Sequence, residues 1–351
     1  MVTSDAEWRV LAGRLGERAT LGKPLGPLTT YGVGGPAALY VEVEDPDDLT
    51  AVRLACREHA ATLASSSPGF PAAFVLGRGS NLLVADEGFE GIVLHLGAGF
   101  GDIELPPPEP GQGASAGSAP VVVRAGAAVA LPVLARRVAD AGWSGLSWAV
   151  GVPGSVGGAV RMNAGGHGSD MASCLVRYSW ADLFSDADGT DEVGHLDYGY
   201  RSSTVGASRV VVAAELAVTP GSVAEEQSTL SAIVKWRREH QPGGSNAGSV
   251  FTNPEGDSAG RLIEAAGLKG FRMGTAHVSE KHANFMQADK DGRAGDVHAL
   301  MTHVRDVVAE QSGVVLRAEV RLLGFGGGKN GAVDGNGDPR ARTRVGQRDD
   351  A

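Results

Sequence analysis

Residues 76–86 read LGRGSNLLVAD, and residues 149–166 read AVGVPGSVGGAVRMNAGG. In the first run an apolar strand leads into Gly77-Arg78-Gly79-Ser80-Asn81 and then returns to apolar residues. Gly77 and Gly79 permit positive φ, so that successive backbone N–H groups can converge on one anion. Ser80 and Asn81 add side-chain donors and Arg78 adds charge, a cradle that suits a pyrophosphate. In the second run Pro153 fixes one turn, while Gly154, Gly157 and Gly158 let the backbone pass close to a flat or phosphorylated ligand. Asn163 supplies a donor and an acceptor. Either run alone also reads as a tight turn. Neither is the GxGxxG that opens a dinucleotide-binding helix, nor the GxxxxGK[ST] of a P-loop. Together they suit one extended ligand lying across two subdomains, which is the shape of a dinucleotide.

The bulk of the chain narrows the setting. Its 351 residues predict two or three domains, and 42% hydrophobic residues suffice for substantial cores. A net charge of −10 argues against a nucleic-acid partner, which favours a basic surface. Glycine, at 52 residues, is about twice as frequent as usual, and many glycines sit beside apolar strands. Cys56 and Cys174 have no metal-type spacing, so neither a zinc site nor a disulfide framework is expected, and no other metal. They read as small buried thiols of a reducing compartment. The opening MVTSDAEWRVLAG lacks the apolar core of a signal peptide, and no stretch approaches the roughly 20 apolar residues of a membrane helix. A soluble, cytoplasmic protein without membrane insertion is expected.

These motifs need elements to position them. Strands are predicted at Leu39–Val43, Phe74–Leu76, Ile92–Leu96, Val121–Arg124, Val210–Leu216 and Val314–Leu323. In the last, Leu316, Ala318, Val320 and Leu322 share one face, and Arg317, Glu319 and Arg321 the other. Helices are predicted at Asp47–His59, Leu131–Ala141, Glu225–Glu239, Ser258–Ala266 and about Asp296–Gln311. The last of these carries an apolar stripe of Val297, Leu300, Met301, Val304, Val307 and Val308. Residues 64–72, 105–119 and 326–351 are rich in Pro, Gly, Ser or charge and read as loops or disorder, the middle one as a hairpin loop. The order is neither βαβαβ nor all-β, which leaves an α+β class with several subdomains.

Several longer motifs carry a resemblance. PLTTYGVGGPA (27–37), the two glycine-rich runs, YGYRSS (198–203), SNAGSVFTNP (245–254), AGRLIEAAGLKGFRMG (259–274), VSEKHANF (278–285) and LRAEVRLLGF (316–325) stand in the order of one family. By these the chain is identified as a member of the UDP-N-acetylenolpyruvoylglucosamine reductases, the MurB type. The resemblance covers all but the N-terminal 20 residues, the Pro/Ser loops and the tail. It implies an FAD-binding fold of the vanillyl-alcohol-oxidase (PCMH) type in two subdomains, residues 20–90 and 91–235, and a C-terminal α+β substrate domain, residues 236–318. The last strand, residues 319–325, would return to the first subdomain. It implies noncovalent FAD, since no His or Cys is positioned for covalent attachment, and NADPH as hydride donor. The substrate would be a UDP-sugar bearing an enolpyruvyl ether, met on the way to peptidoglycan, and the protein a monomer. In this reading Gly77, Arg78, Gly79, Ser80, Asn81, Gly151, Pro153, Gly154, Ser155, Gly157 and Gly158 contact FAD.

The chemistry implied by the resemblance follows from charge. Hydride addition to the vinyl carbon builds negative charge on its neighbour and the adjoining carboxylate, so donors must face that carboxylate and an acid must protonate the carbon. Arg201 fits the first role, its planar fork matching a carboxylate, with Tyr200 beside it as a substrate contact. Ser249, in NAGSVF, fits the proton donor, and Glu319 supports that acid or polarises the enol. Without the resemblance, Arg201 reads as a surface arginine, Ser249 as a turn serine and Glu319 as the partner of Arg317 or Arg321 across strands. Asn253, Lys281, His282 and His240 are implied contacts of the nucleotide or diphosphate. His240 stands where the family often has Lys, so Arg237 or Arg238 substitutes, or affinity becomes pH-sensitive. Arg78 likewise stands where Gly is common.

Overall fold

The computed structural model describes residues 5–64, 72–107, 121–325 and 332–333. The expectations placed on 65–71, on 108–119 and on most of 326–351 lie outside these residues. Contacts divide the chain into two compact units. One comprises the chain up to Lys23, Ala37–Ser80 and Glu90–Gly243, and the other Pro24–Pro36, Asn81–Phe89 and everything from Gly244 on.

The first unit holds helices α1 (Asp5–Leu15), α2 (Pro46–Ala64), α3 (Leu131–Asp140), α4 (Val156–Met162) and α5 (Val223–His240). Two larger sheets run through it, beside the two-stranded pair Gly165–Gly166 and Ser169–Asp170. A four-stranded sheet has the order Ala19–Leu21, Ala37–Val43, Phe89–Leu96, Ala73–Leu76, its last pair parallel. The second runs Asp188–Glu192, Leu175–Asp182, Arg209–Pro220, Val121–Gly126, Ile103–Glu104, with Trp143–Ser144 pairing the end of the central strand. Ile103–Glu104 and Val121–Gly126 pair antiparallel, as the predicted hairpin between them requires. Leu39, Val41, Ile92, Leu94, Val123, Leu134 and Val138 all fall below 2% exposure in one shared core. Each such aliphatic side chain contributes about 1.5–3 kcal/mol on burial. Cys56 and Cys174 lie in this core as free thiols, their pKa pushed up to about 12 by burial.

Two of these helices were not foreseen. α1 buries only Trp8, Leu11 and Leu15 and is interrupted by Gly13, which dilutes its apolar period. α4 is built on Gly157 and Gly158, residues that disfavour a helix interior. It forms because Ser155 caps Gly158 N–H and Asn163 ends it in the left-handed region at φ 42°.

The second unit holds α6 (Ala259–Ala265) and α7 (Ala294–Ser312), with the small antiparallel sheet Arg272–Met273, Ala276–Val278, Met286–Ala288. The predicted stripe of α7 is buried at Val297, Leu300, Met301, Val304 and Val308, and Gly313 ends the helix at φ 72°. At its other end the Asp86 carboxylate accepts the N–H groups of Ala294 (2.8 Å) and Gly295 (2.9 Å). Arg321–Leu323 pairs in parallel with Leu82–Val84. The predicted strand Val314–Leu323 is therefore shorter than its pattern. Its alternation holds, since Leu316, Val320 and Leu322 are buried, but only 321–323 joins a regular ladder. The preceding residues bond instead to 250–252, through an isolated bridge between Phe251 and Ala318. The tail differs from expectation at one point: Ala332–Val333 adds a short strand against Leu322 and Leu323.

Candidate active site

The two glycine-rich runs meet within the first unit. A Cβ placed on Gly77 would lie 2.5 Å from Ser155 Oγ, and one on Gly154 would lie 3.7 Å from Ser80 Oγ. Any side chain at 77 would displace Ser155, so glycine is required there by the close approach of the two segments. Gly79 is buried at φ 58°. Gly151 packs against the His167 ring, 2.6 Å from where its Cβ would be, and Pro153 is exposed.

Beside this junction opens a cleft of about 680 Å³. Its floor is Ala127, Ala128, Ser155, Gly157 and Gly158, and its apolar wall includes Val75, Leu96 and Val211. Arg78, His95, Arg161 and Arg209 also line it, and no carboxylate does. Three arginines, one of them also paired with Asp191, offer donors to a diphosphate, and the apolar wall fits a planar ring. The residues present therefore suit a flavin dinucleotide. Arg209 was missed in the sequence because it lies in neither glycine-rich run; Arg161 lies in the second run, but an arginine between Val160 and Met162 carries no local sign that its side chain meets a cleft.

Arg201 stands on a loop of the first unit whose shape is set from beneath. Asn163 is 6% exposed, and its amide donates to Gly199 O (3.1 Å) and Asp170 Oδ2 (3.4 Å) and accepts from Ala172 N–H (2.9 Å). The donor and acceptor expected to meet a ligand thus serve the protein. Tyr198 donates to Val160 O (2.7 Å) and Ser203 to Arg161 O (2.6 Å). Arg201 itself has φ 53°, an uncommon value for a residue with a Cβ. Its guanidinium donates to Asn163 O (3.2 Å) and Gly165 O (2.7 Å) and lies 5.0 Å from the Tyr200 ring, which is 62% exposed.

Ser249 and Glu319 are brought together in the second unit, although 70 positions separate them in the sequence. Glu319 N–H donates to Val250 O (2.7 Å), and Thr252 N–H to Arg317 O (2.9 Å). With Phe251 opposite Ala318, this register sets Glu319 against Val250, one residue along from Ser249. On its other side Ser249 bridges to Phe285, and buried Asn284 clamps Phe251 with bonds of 3.0 and 2.8 Å. Asn81 Nδ2 donates to Glu319 O (3.1 Å), so this member of the first glycine-rich run braces the Glu319 segment. Both Ser249 and Glu319 are half-buried.

Comparison with known proteins places this arrangement. Residues 240–323 match the C-terminal domain of UDP-N-acetylenolpyruvoylglucosamine reductase, and residues 37–190 match an FAD binding domain. The UDP-N-acetylenolpyruvoylglucosamine reductase of Heliobacterium modesticaldum is 39% identical over 92% of this chain and 95% of its own length. That of Chloroflexus aurantiacus is 38% identical over 86% of this chain and 96% of its own. The chain belongs to the UDP-N-acetylenolpyruvoylglucosamine reductase family. The crystal structure of the Thermus caldophilus enzyme of this family superposes with a TM-score of 0.65 at 33% identity, covering 87% of this chain and 97% of the other. The family's FAD-binding fold, α+β with a C-terminal domain, is thus the fold of this chain.

The remaining contacts that membership implies are dispersed. Asn253 is exposed, and its Oδ1 accepts Ala259 N–H (3.0 Å) at the start of α6. Lys281 is exposed; His282 is half-buried, and its Nδ1 accepts Asn284 N–H (3.2 Å). Burial holds the His282 pKa below its ordinary value, which keeps the ring neutral at pH 7. In the first unit His240 stacks on Trp236 at 4.7 Å and bonds to its carbonyl through Nδ1 (2.8 Å). Arg237 stands on the same turn, its Nε donating to Gln241 Oε1 (2.8 Å). Among the described residues no His, Cys, Asp and Glu cluster could hold a metal ion. No described helix is long and apolar enough to cross a membrane.

Proposed function

We propose that this chain is the FAD-dependent, NADPH-driven reductase that converts UDP-N-acetylglucosamine enolpyruvate to UDP-N-acetylmuramate for peptidoglycan precursors. The observation that carries it is the meeting of Gly77 with Ser155 beside a cleft of three arginines, in a chain related over nearly its full length to reductases of that name. The chemistry FAD supplies when bound is transfer of a hydride from NADPH to the vinyl carbon. Gly77, Arg78, Gly79, Ser80, Asn81, Gly151, Pro153, Gly154, Ser155, Gly157 and Gly158 hold or shape the seat of that cofactor.

The chain's own residues do the rest. Arg201 faces the enolpyruvyl carboxylate and stabilises the charge that gathers there, while Tyr200 packs against the same substrate. Ser249 Oγ gives its proton to the carbon beside the carboxylate, and the Glu319 carboxyl stabilises the developing alkoxide or returns its proton. Lys281, His282, Asn253 and the His240–Arg237 turn take the diphosphate and nucleotide. We assign residues 20–90 and 91–235 as the two FAD subdomains and 236–318 as the substrate domain, in a cytoplasmic monomer.

Purified protein should be yellow and should bleach on anaerobic addition of NADPH. Adding the enolpyruvyl sugar should then restore the colour with stoichiometric formation of UDP-N-acetylmuramate. A colourless protein, or a bleached one that the sugar does not reoxidise, overturns the reading.

A further inference from the structure

The cleft of the first unit has two unlike halves. One is the glycine-rich floor beneath Gly77 and Ser155. The other is bordered by Arg161 near the end of α4, within the second glycine-rich run, and by Arg209 at the start of the central strand, outside both runs. The two arginines are tied to the same corner, since Arg161 Nη1 donates to Gly206 O (2.7 Å), three residues before Arg209.

Arg209 is held more firmly than a surface arginine usually is. Its guanidinium lies 3.8 Å from the centroid of the Trp180 ring. Its Nη1 bonds to Asp191 Oδ2 (3.1 Å) and more weakly to Tyr178 OH (3.5 Å). Trp180, Tyr178 and Asp191 come from two adjacent strands, 175–182 and 188–192, so three side chains of the sheet fix one cation. Both hydrogen bonds fall on a single terminal nitrogen. The planar group is therefore oriented with the remaining edge of its fork able to donate toward the cleft it lines. An arginine stacked on an aromatic ring has little rotamer freedom left to lose on binding.

We infer that Arg209, pinned by Trp180 and Asp191, recognises the adenosine diphosphate half of the flavin cofactor and so makes this chain select FAD over FMN. The inference rests on the flavin reading above and deepens it. The setting matches the ligand: an anion meets Arg161 and the edge of Arg209 that Asp191 does not engage, and a planar base meets Val75, Leu96 and Val211. FMN lacks the adenosine phosphate altogether, and its own phosphate would have to serve the glycine-rich floor.

The test uses the full-length protein and reads binding rather than turnover. Dissociation constants for FAD, FMN and riboflavin are measured by flavin fluorescence for the wild type, Arg209→Ala, Arg209→Lys and Trp180→Phe. Thermal unfolding is followed in each case without added flavin. Loss of one charge-assisted bond should raise the FAD constant of Arg209→Ala at least about tenfold and leave FMN and riboflavin within about twofold. Arg209→Lys should recover part of the loss, having the charge without the fork. Trp180→Phe, which keeps a ring under the guanidinium, should bind FAD nearly as the wild type does. Equal weakening of all three flavins, or an unchanged FAD constant, would overturn the assignment. A wild type that binds FMN as tightly as FAD overturns it as well, while one that binds no flavin at all removes the flavin reading itself and the inference with it. Should Arg209→Ala unfold, ADP competing with FAD on the wild type decides the matter: displacement is expected, and none overturns the assignment.

Discussion

Arg201 and Glu319 are held by opposite means. The Arg201 loop takes its shape from side chains: buried Asn163, Tyr198 and Ser203 each bond to backbone groups elsewhere in the first unit. Arg201 then sits at φ 53°, where a residue with a Cβ is ordinarily disfavoured. Ser249 and Glu319 instead lie on extended segments that bond backbone to backbone, through Glu319 to Val250 and Val250 to Asn284. The first arrangement can be dismantled by changing one residue away from the reacting groups. The second tolerates such changes better, since no single side chain creates a ladder, and it is sensitive chiefly at the reacting groups themselves.

Substitutions can break this contrast in order of effect. The largest is expected for Glu319→Gln, which keeps volume and fold but cannot cycle a proton. Stopped-flow measurement should find bleaching by NADPH unchanged and reduction of the enolpyruvyl sugar slowed by about 10³-fold or more. Full sugar-reducing activity would return Glu319 to the role of a strand residue. Ser249→Ala should slow the same half-reaction by about 10²-fold with unfolding unchanged, because its backbone bonds remain. An equal drop in melting temperature and rate would mean that the serine acts through structure.

Asn163→Ala tests the other side of the comparison. It removes the bonds to Gly199, Asp170 and Ala172 from a buried position. A loss of about 1–3 kcal/mol of stability is expected, together with a raised substrate dissociation constant, since the Arg201 loop loses its support. Unchanged substrate affinity would show that the loop holds its shape unaided. Asn163→Gly should restore the backbone at φ 42° but not the affinity.

The smallest effect concerns pH. His59, 3% exposed in α2 of the first unit, has its pKa lowered mainly by burial. Its unfolded form takes up a proton near pH 6.5, and its folded form does so only at lower pH. Stability should therefore be level above about pH 6.5 and fall as pH drops below it. Replacing His59 with Gln should flatten that decline in thermal melts between pH 7 and 5. An undiminished slope would assign the decline to His167 of the first unit and His282 and His298 of the second, whose pKa values burial also lowers.

Much of this was legible in the sequence where one pattern sufficed. The α7 stripe, the Ser258 cap of α6 and the alternation of Leu316, Val320 and Leu322 all read directly into burial. The glycine requirement at 79 was legible as well, because few residues accept φ 58°, whereas glycine is required at 77 by the close approach of Ser155 and not by the positive φ expected there. α4 was hidden because its glycines speak against a helix, and its stability comes from caps at both ends. The αL backbone of Arg201 carries no local signal, since it is imposed by Asn163, 38 positions earlier. Arg209 was invisible for a similar reason, because what distinguishes it is its contact with a tryptophan on the neighbouring strand.

The parallel pairing of Arg321–Leu323 with Leu82–Val84 also bears on how the protein is made. Residues 82–84 leave the ribosome early yet wait for a partner encoded almost at the end of the message. Until then an apolar strand of three buried residues lacks its ladder on that side. The first unit takes no residue beyond Gly243, so all of its segments are synthesised before the second unit is complete. A product released prematurely before residue 319 would lack both this strand and the Glu319 carboxyl group. Nascent chains of this kind carry an exposed strand edge and are candidates for chaperone capture.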